Sequence, residues 1–369
     1  MPYCRRCGTP LDESARFCHR CGLPIAAHNA PAPAPMPVQQ YPPPTPAPTE
    51  TATQKPRSNR IIILTAGLIG ILVLASVAAA LLFIPTTSWS FEKTFSDGSP
   101  EIDSLNLNFA TNIGQINIMT LEVGEKAVLI HVQGNGSSSF ITNDDMPMTV
   151  TFDNQTIGRT LTINSQINVE NALTRGAAVS VQIYVDPKLH LNLNVTSTTG
   201  KISLTADRGV TIEALLLQTT TGDVEANLQD KAALNGPVIL RTTTGEVNLR
   251  IHEIGVLDNC TLDLQTVTGN IAMDITETSQ LDGNMEVNAA ATTGTIYLGL
   301  EVDAGVAAKV TSATNMGSIE TSLVGFTGDQ SPLYSSNYPS ESNIDITNTV
   351  HGTGNININA KTQTVTIAH

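Results

Sequence analysis

Beyond about residue 100, hydrophobic and polar residues alternate with a period of two. Val224, Ala226 and Leu228 are interleaved with Asp223, Glu225 and Asn227, and Val247, Leu249 and Ile251 with Glu246, Asn248 and Arg250. This alternation predicts strands with one face in a core and the other in solvent. Each run follows a glycine, in QTTTGDVEANL (218–228) and RTTTGEVNL (241–249). The phrase recurs as TTGKISL (198–204), VTGNIAMDI (267–275), TTGTIYLGL (292–300), NMGSIETSL (315–323) and GTGNININA (352–360), and NIGQINIM (112–119) reads as an outlying copy. The anchors Gly200, Gly222, Gly245, Gly269, Gly294, Gly317 and Gly354 are 22, 23, 24, 25, 23 and 37 residues apart. Such a period predicts an array whose units bury their apolar faces by stacking. A second strand fits into each period, as in LHLNLNV (189–195), TLDLQT (261–266) and MEVNA (285–289). The expected fold is therefore all-β, a β-solenoid or β-helix-like domain over 88–369. Its seven coils at about 4.8 Å per strand would make a core on the order of 35 Å long. Glycine supplies the positive φ of a sharp corner, threonine supplies β-propensity, and stacked Thr and Asn are expected to form ladders. These glycines read as corners rather than as phosphate-binding or catalytic elements.

Residues 88–185 alternate less regularly and predict an N-terminal cap or an extra sheet continuous with the solenoid. TGDQSPLYSSNYPSESN (327–343) reads as a loop inserted before the last coil, which would account for the longer final step between anchors.

Upstream the pattern changes. Ile61 to Ile84 is an unbroken apolar run without a charge. It is long enough to cross a bilayer as one transmembrane helix. Lys55, Arg57 and Arg60 flank its N-terminal side, and the first charge beyond it is Glu92. The positive-inside rule then places the N-terminus in the cytoplasm and residues after 85 outside. Trp89, Phe91 and Phe95 fall where an interfacial aromatic belt is expected. Residues 26–60 are a Pro-rich linker that could reach on the order of 100 Å when extended.

Residues 4–21 read CRRCGTPLDESARFCHRC. Two CxxC pairs, each followed by glycine, predict one tetrahedral Zn²⁺ held by Cys4, Cys7, Cys18 and Cys21. With four protein ligands the site has no open position and is structural. So short a segment, residues 1–25, has too small a core to fold alone, so the metal would supply most of its folding free energy. The fifth cysteine, Cys260, reads as a buried small hydrophobe.

The formal net charge is −14, unevenly distributed. Residues 1–60 carry seven Lys and Arg against three Asp and Glu; the rest carry 12 against 30. An acidic large domain repels nucleic acid, so no nucleic-acid partner is expected. Four N-x-[ST] sequons, at Asn135, Asn154, Asn194 and Asn259, are candidate glycosylation sites, the loop-like GNGSSS around Asn135 foremost. No catalytic or nucleotide-binding motif stands in a suitable setting. Asp223 and Glu246 occupy equivalent positions in neighbouring coils, about 5 Å apart. They could pair around a cation, but Lys201 and Asn270 in the flanking coils favour a plain surface ladder.

Residues 1–25 resemble the short zinc-ribbon domains that precede membrane segments in many bacterial and archaeal proteins; CxxCG and FCxxCG carry the likeness. The repeated TTGxVxL resembles the membrane-anchored β-solenoid domains of bacteria and archaea labelled "putative adhesins" or toastrack domains, over most of residues 100–369. The resemblance implies a non-enzymatic, single-pass surface protein. Its ectodomain would bind an envelope polymer or surface protein or serve structurally, anchored in the lipid bilayer through residues 61–84, with a cytoplasmic protein docking at the zinc ribbon. A transmembrane envelope sensor signalling through the ribbon is the alternative. A carbohydrate-active β-helix enzyme is a second alternative, which sparse aromatics and unclustered acids disfavour.

Overall fold

The computed structural model describes residues 86–362 apart from 99–100, 140–146, 171–173, 208, 304–305, 329–330, 337 and 340–342. The ribbon, linker and membrane helix expected at 1–25, 26–60 and 61–84 lie outside the described residues. Among the described residues all regular structure is strand, and no helix is long and apolar enough to cross a membrane.

The N-terminal part supplies β1 (Thr86–Asp97), β2 (Ser104–Ile113), β3 (Gln115–Thr120), β4 (Val128–Ser139), β5 (Met148–Ile157), β6 (Thr160–Val169) and β7 (Thr174–Val185). The regular repeats supply β8 (His190–Thr199), β9 (Ile202–Ala206), β10 (Thr211–Thr221), β11 (Val224–Gln229), β12 (Ala233–Leu234), β13 (Val238–Thr244), β14 (Val247–His252), β15 (Gly255–Val256), β16 (Cys260–Thr268), β17 (Ile271–Glu277), β18 (Met285–Thr293) and β19 (Ile296–Val302). Last come β20 (Ala307–Met316), β21 (Ile319–Val324), β22 (Phe326–Thr327), β23 (Leu333–Ser335), β24 (Asn343–Thr353) and β25 (Ile356–Thr362).

The strands form two large sheets, one of eleven and one of fourteen. Each coil gives one strand to each sheet across a glycine corner, as β10 and β11 do around Gly222. Coil-to-coil pairing is parallel and in register: Val224 lies beside Ile202 and Val247, and Leu240 beside Leu217 and Leu264. The period of two therefore aims equivalent residues of every coil inward, and one apolar core extends from Leu105 to Ala360.

The corners explain the repeated glycine. A Cβ on Gly222 would lie 2.2 Å from the carbonyl oxygen of Gly200, one on Gly245 1.9 Å from that of Gly222, and one on Gly269 1.9 Å from that of Gly245. Backbones approach this closely because Gly200 donates its N–H to Thr221 O at 2.8 Å, and Gly222 donates to Thr244 O at 2.8 Å. The expected positive φ is present from Gly200 to Gly294, for example +135° at Gly222, but not at Gly317 and Gly354. There only the close approach demands glycine, since a Cβ would meet the neighbouring carbonyl oxygen at 1.8 and 1.7 Å. The threonine three positions before the corner completes the joint: Oγ1 of Thr242 donates to Gly222 O at 2.8 Å, that of Thr266 to Gly245 O at 3.1 Å and that of Thr219 to Gly200 O at 3.2 Å.

Spatial order departs from chain order at both ends. The strands β2 and β3 are not outliers; they form a full layer between β6/β7 and β8/β9, and Gly114 stacks on Gly200. At the other end, β24/β25 is inserted between β18/β19 and β20/β21. The coil at Gly354, expected last, is thus internal, and that at Gly317 is terminal. Residues 327–343 are not simply a loop either, because β22 and β23 form an antiparallel hairpin that pairs with β20 and buries Leu333. The connection must cross one layer in order to bring β24 back beside β18.

The N-terminal cap is as expected, continuous with both sheets: β1 and β4 pair antiparallel beside β7, and β5 beside β6. Its first strand begins at Thr86, just ahead of the expected boundary at residue 88. Phe95 stacks on Phe152 with ring centroids 4.6 Å apart, which joins the two sheets at this end. Trp89, Phe91 and Phe95 pack partly buried against the core. They do not form the expected interfacial belt, because alternation along β1 points them inward.

Candidate binding surface

The outward residues form rows that follow the strand register. Next to each corner, the residue after the glycine caps its neighbour: Oδ1 of Asp223 accepts the Glu246 N–H at 2.9 Å, Asn270 accepts that of Thr295 at 3.0 Å and Asn355 that of Ser318 at 3.0 Å. Asp223 and Glu246 are thus joined through a backbone amide, the ladder reading, rather than as a carboxylate pair. On the fourteen-stranded sheet, Asn108 bridges its neighbours, donating to Asn164 at 2.9 Å and accepting from Asn194 at 3.4 Å. Long rows of small polar side chains on a rigid frame present many hydrogen-bonding groups at strand spacing, about 4.8 Å.

Several shallow depressions interrupt these faces, and two of them are the following. One, of about 570 Å³, has Asn106, Asn108, Asn192 and Asn194 beside Leu216 and Ile239 on the fourteen-stranded sheet. The other, of about 550 Å³, lies on the eleven-stranded sheet around Gly299, with Asp274, Tyr297, Glu320, Asn357 and Asn359 at its edge. Gly299 pairs with Asp274 on one side and Asn359 on the other, so its missing side chain leaves a notch in the row. Tyr297 is 45% exposed.

The four sequon asparagines are all exposed. Asn135 is not in a loop but within β4, opposite Ser90 and Ala178. Asn154, in β5, donates to Asp97, and Asn259 accepts from Asn284 at 3.0 Å. The zinc ligands Cys4, Cys7, Cys18 and Cys21 lie outside the described residues. Cys260 is buried at the start of β16, and burial pushes its thiol up to about 12, so it stays protonated and inert. Of the histidines at polar strand positions, His252 is exposed, and His190 is exposed and meets Glu213 at 2.7 Å.

One residue escaped the sequence reading. Glu277 is fully buried at the end of β17. Burial pushes its carboxyl up to about 8; the Ile254 N–H, at 3.1 Å from Oε1, opposes the shift and Glu253 adds to it. Its Oε2 has no partner among the described residues. The signal was available, since Ile271, Met273, Ile275 and Glu277 share one parity. Among the described residues no group of three or more His, Cys, Asp or Glu side chains could hold a metal ion.

These features define a class: two largely parallel sheets stacked coil by coil, with polar outer faces. Residues 3–25 match the model of the zinc-ribbon domain, which implies structural zinc binding. Among curated proteins none matches this chain in sequence. Solved structures similar to it include a "putative cell adhesion protein" from Clostridium sporogenes, at 13% identity and a TM-score of 0.29, over 74% of this chain and 100% of that one. A "putative adhesin" from Bacteroides fragilis has 13% identity and a TM-score of 0.27, over 73% and 97%. A "putative lipid binding protein" from Parabacteroides distasonis has 11% identity and a TM-score of 0.21, over 72% and 96%. The TM-scores are low, and the fold is defined by this chain's own strand pairing.

Proposed function

We propose that the chain is a membrane-anchored surface protein without enzymatic activity, whose β-stack ectodomain binds an envelope polymer or surface protein outside the cell. Residues 61–84 would span the bilayer with the N-terminus in the cytoplasm. One structural Zn²⁺ on Cys4, Cys7, Cys18 and Cys21 would fold the ribbon into a docking element for a cytoplasmic protein. Exposed Asn135, Asn154, Asn194 and Asn259 would be available for glycosylation where the cell provides it.

The observation that carries the reading is the pair of polar outer faces, whose rows repeat at strand spacing along one continuous core. Such a face suits an extended, repetitive partner better than a small molecule, for which an enclosed apolar pocket is the usual site. The carboxylate that could suggest hydrolytic chemistry, Asp223, already caps a backbone amide.

The test is binding of the full chain, in detergent micelles, to isolated envelope material, with zinc content measured on the same preparation. Saturable binding and one zinc per chain, lost in Cys4→Ser/Cys18→Ser, are expected. No saturable binding at any ionic strength would sink the surface-binding reading. If deleting residues 1–25 abolished the outer function in cells while leaving envelope binding intact, the sensor reading would replace it.

A further inference from the structure

The notch at Gly299 is built differently from the rows around it. Two outward rows cross this part of the eleven-stranded sheet: Ala272, Tyr297, Asn357 and Glu320 in one, and Asp274, Gly299, Asn359 and Ser322 in the other. Three strand spacings make the second row about 14 Å long. Glycine in a strand interior weakens the strand and often marks a place where something approaches the backbone closely. A Cβ here would come within 2.9 Å of Asp274 Oδ1, so the carboxylate leans over the space that a side chain would fill.

Among the described residues, the side chains of Asp274, Tyr297, Glu320, Asn357 and Asn359 have no hydrogen-bond or ion-pair partner. Elsewhere on the same sheet several outward groups satisfy one another: Lys201 meets Glu225 at 2.6 Å, Lys361 meets Glu301 at 2.7 Å and Ser203 donates to Asn117 at 2.6 Å. At the notch an exposed aromatic ring therefore stands beside a depression with two carboxylates and two amides free to bond outward.

We infer that the notch is a glycan subsite for a short run of neutral or amino-bearing pyranose units. A sugar ring has an apolar face, which an aromatic ring covers, and a rim of hydroxyls that each donate and accept. Tyr297 supplies the apolar platform for one unit, Asp274 and Glu320, at opposite ends of the rows, accept from hydroxyls of different units with the added strength of an ionised acceptor, and Asn357 and Asn359 between them both donate and accept. The carboxylates and the net charge of −14 disfavour uronate and phosphate polymers, with the exposed Arg250 beside Asp274 the adjoining cation, and they admit a protonated amino sugar, whose charge the ring also attracts. This deepens the proposed function and rests on it, since it names the chemistry of the envelope polymer.

The experiment is calorimetric titration of the full chain in detergent micelles with chitotetraose, cellotetraose, mannotetraose and tetragalacturonate. At least one neutral tetrasaccharide is expected to bind saturably and tetragalacturonate not at all. Tyr297→Ala is expected to weaken binding about tenfold, and Tyr297→Phe much less, because the ring remains. Gly299→Val, which fills the notch, should weaken it comparably without lowering the melting temperature. No saturable binding of any neutral probe, equal binding by Tyr297→Ala, or tighter binding of tetragalacturonate would overturn the subsite. Envelope binding measured in parallel separates the two ideas: if it persists in Tyr297→Ala while the probes fail, the subsite is wrong and the surface-binding reading stands.

Discussion

The carbonyl oxygen of Gly294 faces Gly354, much later in the chain, at 1.7 Å from where a Cβ would stand. Gly317, although nearer to Gly294 in sequence, stacks instead on the far side of Gly354. The last coil in sequence is therefore a middle layer in space. It pairs with β18 and β19 on one side and with β20 and β21 on the other.

Deletion of residues 343–369 should consequently do far more than shorten the stack. It would remove the partner of both neighbouring layers and leave unpaired strand edges, which are templates for aggregation. The truncated chain is expected to be insoluble or to melt well below the full chain, as size-exclusion chromatography and circular dichroism would reveal. A soluble truncation with an unchanged melt would contradict the insertion.

Glycine at the corners is demanded by space as well as by φ. Gly269→Ala would press a methyl group against Gly245 O, from a backbone φ of +146°, and is expected to cost several kcal/mol. Gly158→Ala, at φ +62° but in open space, should cost only about 1 kcal/mol. Thermal unfolding of the two variants checks the ordering; comparable losses would mean that the close approach is not the governing term.

The threonine joint can be weighed against its own natural variant. Thr242→Val removes the donor to Gly222 O while keeping shape, and should cost about 1 kcal/mol. Ser197 holds the equivalent place in β8, buried, with a hydroxyl that has no partner among the described residues. Ser197→Ala should therefore be near neutral or stabilising, which chemical denaturation would establish.

Glu277 sets a pH dependence. Its carboxyl titrates near the ordinary carboxylate value in the unfolded chain but at about 8 in the folded one. Between those values the unfolded state has lost the proton and the folded state keeps it, so stability falls as pH rises. The penalty is absent below about pH 4 and complete above about pH 8, and amounts to a few kcal/mol. Glu277→Gln keeps an amide acceptor for Ile254 without the charge, and should flatten this part of the stability profile between pH 5 and 8. An unchanged slope in that variant would assign the dependence to other groups.

Much of this architecture was legible from alternation alone, because a period of two allows one buried face and a glycine recurring once per repeat marks where the chain turns. The paired strands of each coil, the inward residues, the Thr and Asn ladders and the inert Cys260 all follow from local pattern, and parity alone would have placed Glu277 inside. The zinc-ligand spacing of Cys4, Cys7, Cys18 and Cys21 is likewise a local property. Layer order is not local. A coil presents similar edges above and below, so nothing within GTGNININA or NIGQINIM specifies which neighbours it joins; that is decided by which arrangement pairs every edge and lets the hairpin at β22 and β23 close the end. The inward turn of Trp89, the place of Asn135 within β4 and the notch at Gly299 were set in the same way. Each depends on side chains brought from distant coils, and only register across the sheets puts Tyr297 beside Asn357 and Gly299 between Asp274 and Asn359.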